Sequence, residues 1–79
     1  MDKIIQGLEE IAHLAKHSSD ASQIKKAIQV VRDLIPGREL DQELSVWQTK
    51  LDVILKEPVG REGMAKHARY WAEKVKNAG

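Results

Sequence analysis

Residues 40 to 55 carry the most regular pattern in the chain, and it leaves little choice of fold. Apolar side chains fall at Leu40, Leu44, Trp47, Leu51 and Ile54, with gaps of four, three, four and three. Every third or fourth residue of an α-helix returns to the same face, so this spacing makes one continuous apolar stripe. No stretch of the chain alternates with the period of two that a half-buried strand requires, and the Val30-Val31 pair is too short to compete with the helical period. The expected fold class is all-α, with the other segments packed against this stripe.

Three further helices can be read around it. Residues 3–17 place Ile4, Leu8, Ile11 and Ala15 on one face, flanked by Ile5 and Ala12, with Asp2 as the expected N-cap. Leu14 lies about 60° off that stripe at about 100° per residue, at the edge of the core. After a short break at His17-Ser18-Ser19, Asp20 caps a second helix over 20–35, with Gln23 three residues on to complete a capping box. Its apolar arc is wide (Ile24, Ala27, Ile28, Val31, Leu34 and Ile35, extended by Val30), which means contact with more than one neighbour. Pro36 ends it, because the residue before proline is pushed out of the α region, and Pro36-Gly37 reads as a turn.

The central helix is expected over 38–56, with Glu39, Asp41 and Glu43 complementing the positive end of its dipole. Pro58-Val59-Gly60 reads as the loosest linker. A last helix over 61–77 follows, with Met64, Ala68, Trp71 and Val75 inward and the small Ala65 and Ala72 allowing close approach. Loops this short make successive helices antiparallel neighbours. The expectation is a compact bundle of four short helices, up-and-down or, since short helices can cross steeply, orthogonal.

Seventy-nine residues make one domain, spanning 1–79. A core of this size supplies only about 3–5 kcal/mol of net stability, so such a domain often leans on a partner or on a second copy. The formal net charge is +1, which by itself points to neither nucleic acid nor membrane. The chain has no cysteine, which removes disulfides, thiolate metal sites and cysteine nucleophiles together. It has no apolar run of the roughly 18–20 residues a membrane span needs. Its first residues turn polar at once, unlike a signal peptide. A cytoplasmic location is the expectation.

Glu10, His13 and His17 share one helix face, and a Glu-x-x-His pair is half of a carboxylate-bridged di-metal site. That site needs a second such pair, which the chain lacks, and the three residues point away from the Ile4–Leu8–Ile11 stripe. No metal and no cofactor is expected. His13-Leu14-Ala15-Lys16 has the His-x-x-Lys spacing of phosphotransfer bundles, but His17 stands where those bundles have a small residue. The Asp-Ser-Leu of acyl carriers is absent. The serines have no glycine-elbow context, and Gly60-Arg61-Glu62-Gly63 is not a phosphate loop. With no matched acid–base pair, an enzyme is not expected.

Two surfaces remain. Segment 60–79 holds five basic residues against two acidic ones, a net +3, whereas segment 37–57 has a net −2. Lys66, Arg69, Tyr70 and Lys74 project away from the Met64–Trp71 stripe, and cations interleaved with an aromatic can meet phosphates and stack on a base. On the central helix, Val46 and Val53 lie seven residues apart, nearly opposite the core stripe, with Thr49 and Lys50 between them. The leading expectation is a non-enzymatic protein–protein interaction module, a homodimer or an adaptor, using Val46, Thr49, Lys50 and Val53. The alternative is a small nucleic-acid-binding protein using Lys66, Arg69, Tyr70 and Lys74. No membrane partner is expected.

Overall fold

The computed structural model describes residues 2–18, 20–35 and 38–78, apart from the side chains of Asp2 and Ala78. Five helices follow one another: α1 Asp2–His17, α2 Ala21–Leu34, α3 Glu39–Thr49, α4 Leu51–Ile54 and α5 Pro58–Ala78. No strand occurs among the described residues, and 89% of them are helical. The expected turn at Pro36-Gly37 and the Ser19 part of the first break lie outside the described residues. So does the side chain of Asp2, the expected cap, which belongs to α1 itself.

Contacts between helix ends show an up-and-down order. Arg61, near the start of α5, reaches Ala15 and Ser18 at the end of α1. Arg32, near the end of α2, bonds Asp41 near the start of α3, while Gln48 near the end of α3 reaches Lys25. Glu43, near the middle of α3, bonds His67 and Trp71 around the middle of α5. The 21 residues of α5 rise about 31 Å at 1.5 Å per residue, and this one helix runs nearly the 34 Å length of the molecule.

The core follows the apolar stripes. Leu8, Ile11, Ile24, Ile28, Val31, Leu44 and Leu51 are fully buried. Alanines face each other across the α1–α5 contact, Ala12 and Ala15 against Ala65, Ala68 and Ala72, all buried, so the backbones of these two helices come close. Gly7 does the same for α2: a Cβ there would collide with Cγ2 of the buried Val31. That close approach covers the flank of α1, and Leu14, expected at the edge of the core, is buried in consequence.

The ends of the elements correct the sequence reading in three places. The central helix is not continuous over 38–56. Lys50 leaves helical geometry at φ −105° and ψ 16°, and its carbonyl accepts from both Val53 and Ile54 at 3.0 Å. Just before it, the Thr49 hydroxyl donates to the Ser45 carbonyl at 2.9 Å, a back-bond that bends helices. The chain resumes as the single turn α4, still with Leu51 inward. Second, Pro58-Val59-Gly60 is not a linker but the first turn of α5. Proline suits the first helical position, where its fixed φ helps and its missing N–H costs nothing. Gly60 sits so close to the Ile54 carbonyl that no side chain fits between them.

Third, the capping box of α2 closes through a different residue. Asp20 Oδ1 accepts from the Ser22 and Gln23 amides at 3.0 and 3.4 Å, as an N-cap should. The Asp20 amide, however, donates to Ser18 Oγ at 3.1 Å, and that hydroxyl donates to Gln23 Oε1 at 3.0 Å. Gln23 is reached by way of the serine instead of directly.

Candidate interaction surfaces

On α3 and α4, Leu40, Leu44, Trp47 and Leu51 face the core, Gln48 and Asp41 face α2, and Glu43 faces α5. Val46, Thr49, Lys50 and Val53 are among the outward residues, all exposed, with Val46 at 51% and Val53 at 71%. Their spacing no longer lies on one straight helix, because the break at Lys50 falls between the two valines. Charges of both signs surround them: Lys50 and Lys56, Asp52 and Glu57 are all exposed.

The exposed cations of α5 have neighbours on both sides. Lys66 and Arg69 share a shallow surface depression with Lys16 of α1, along with Val59 and Glu62. Lys74 Nζ stands 4.8 Å from the Trp71 ring centroid and 5.8 Å from that of Tyr70, within cation–π range. Lys66, Tyr70 and Lys74 follow one another at four-residue intervals along one exposed ridge of α5, with Arg69 beside it. Lys16 adds a cation from α1, and nothing in its local sequence pattern marks it.

Arg61, counted among the cations of the last segment, is taken up by the fold. Its guanidinium donates to the carbonyls of Leu55 at 3.1 Å, Ala15 at 3.2 Å and Ser18 at 2.7 Å. Those carbonyls close the last turns of α1 and α4, where a cation also complements the helix dipole. Arg32 is similarly spent: it bonds Asp41 at 2.8 Å and Gln48 at 2.6 Å, and Gln48 continues to Gln29 and the Lys25 carbonyl. This ladder sets the register of α2 on α3.

Glu43 links α3 to α5. One oxygen accepts from the Trp71 indole at 2.5 Å and the other lies 3.0 Å from His67 Nδ1. Trp71, expected in the core with Trp47, is only partly buried: Trp47 is 6% exposed, whereas Trp71 turns its N–H outward to the carboxylate. Indoles that carry one wet edge usually sit at such borders.

Glu10, His13 and His17 face solvent, and the two imidazole rings pack at 4.6 Å between centroids. Among the described residues no three histidines or acids are gathered closely enough to hold a metal ion. No polar or charged side chain among the described residues is buried. No helix is long and apolar enough to cross a membrane. The start of α1, the ends of α2 and α5 and the start of α3 surround an apolar groove whose walls include Leu34, Leu40 and Trp71.

Fold and surfaces define the class, a small all-α bundle with an exposed face on its third and fourth helices and a row of exposed cations on its last. Comparison with protein-family models, with curated proteins and with solved structures found no match to this chain.

Proposed function

We propose that this domain is a non-enzymatic protein–protein interaction module that docks through the outer face of α3 and α4, and that its partner on that face is a second copy. The observation that carries the reading is the exposure of Val46 on α3 and Val53 on α4, while Leu40, Leu44, Trp47 and Leu51 of the same two helices fill the core. A domain of marginal stability gains by covering such residues. The face carries both signs of charge, Lys50 and Lys56 with Asp52 and Glu57, and thereby suits pairing with itself across a two-fold axis. The ionisable side chains described above point to solvent or bridge helices, which favours binding over catalysis. We place the module in the cytoplasm.

The test is association state. Light scattering on a sizing column should give a dimer for the parent and a folded monomer for the Val46→Glu, Val53→Glu double variant, with unchanged helical circular dichroism. Glutamates would set like charges against each other across the axis, while the core stripe faces the other way. A parent that stays monomeric at high micromolar concentration overturns the homodimer.

A second reading is favoured by one observation, the meeting of Lys16 with Lys66 and Arg69 on one flank. Three cations there, contributed by two helices, form a phosphate-binding strip for nucleic acid.

A further inference from the structure

The geometry points to a small-ligand site at one end of the bundle, in the apolar groove between the start of α1 and the end of α5, and to a single-chain amphiphile with an anionic headgroup as its occupant. The groove is remote in residue content from the α3–α4 docking face and does not depend on that proposal. Its walls are Ile4 of α1, Leu34 and Ile35 at the end of α2, Leu40 of α3, and Trp71 and Val75 of α5. It is open to solvent along one side, and its volume of about 640 Å³ is comparable to the roughly 300–1,000 Å³ of small-molecule sites.

The chemistry narrows the occupant. The indole N–H of Trp71 is already donated to Glu43, so the tryptophan offers the groove a ring face and no donor. Among the described residues, the other polar side chains lining it are the charged Arg38, Lys74 and Glu39. Two cations against one carboxylate favour an anion. Lys74 is held near the Trp71 ring at 4.8 Å, so an ammonium stands directly beside the apolar wall. A ligand that satisfies both features has an alkyl body and one negative end, as a fatty carboxylate has. The alkyl chain replaces water against Leu34, Leu40 and Val75, and the carboxylate meets Lys74 and Arg38.

Calorimetric titration of the whole chain with octanoate, decanoate and dodecanoate, each below its micelle-forming concentration, tests the site. Binding should saturate at one ligand per chain and tighten roughly three- to fourfold per added methylene. Decyltrimethylammonium, with a matched tail and the opposite charge, should bind more weakly than decanoate. Lys74→Glu should weaken decanoate about tenfold, Glu39→Gln should tighten it, and Leu34→Glu should abolish it. Lys74, Glu39 and Leu34 are exposed, so these variants keep the fold, which circular dichroism verifies. The proposal is overturned by absence of saturable binding, by several ligands per chain, by equal affinity for the cationic amphiphile, or by variants that bind as the parent does.

Discussion

Arg61 donates to the Ser18 carbonyl at 2.7 Å and so ties the start of α5 to the end of α1. The same guanidinium serves Ala15 and Leu55, and three chain segments converge on one side chain. Hydrogen bonds to a charged group contribute about 1.5–3 kcal/mol, and carbonyls left without partners cost a similar amount. Arg61→Ala should therefore lose about 2–3 kcal/mol, much of the whole stability of a core this size. Arg61→Lys should recover only part, since an ammonium lacks the planar fork that reaches separate carbonyls. Urea unfolding checks this: the midpoint should fall with little change in slope.

The two tryptophans should respond differently. Truncating the buried Trp47 to alanine costs about 3–5 kcal/mol, so Trp47→Ala should be largely unfolded by circular dichroism at room temperature. Trp71→Phe keeps the ring's apolar face and loses the bond to Glu43, a cost of about 1 kcal/mol. If that bond is the coupling, Glu43→Gln should cost less in Trp71→Phe than in the parent, which a double-mutant cycle measures.

Three glycines lie in helices, and their surroundings predict opposite signs. A Cβ at Gly63 meets nothing within 4 Å, so Gly63→Ala should stabilise α5 by about 0.5–1 kcal/mol. At Gly7 the added carbon strikes the buried Val31, and at Gly60 it strikes the Ile54 backbone. Overpacking of this kind costs about 1–3 kcal/mol. Thermal melts should therefore rise for Gly63→Ala and fall for Gly7→Ala and Gly60→Ala.

Charge removal along α5 separates the nucleic-acid reading from a merely solvated helix. If duplex DNA follows the Lys16 flank, Lys16→Ala, Lys66→Ala and Arg69→Ala should each weaken binding and flatten the log–log salt slope by about 0.9. Lys74→Ala should do less, because its ammonium stands near the Trp71 ring. A filter-binding salt series in which all four variants bind as the parent does overturns the reading.

Sequence periodicity by itself determined that the chain is helical and which faces of its helices are apolar. Leu40, Leu44, Trp47 and Leu51 are buried as their spacing requires, and His13, His17, Val46 and Val53 are exposed as theirs requires. Those properties are local: a residue's angle around its own helix follows from its position alone. The tertiary structure decided everything that depends on a neighbour distant along the chain. Leu14 is buried because α2 covers its flank, an approach that Gly7 permits. Arg61 is structural because carbonyls 43 and 46 residues away lie within its reach. The central helix breaks at Lys50, and Pro58 opens the next one as Gly60 packs on Ile54. Lys16 joins Lys66 and Arg69 because α1 lies along that flank of α5. The groove at the bundle end, finally, takes its walls from α1, α2, α3 and α5, and no single segment's pattern encodes a space enclosed by four.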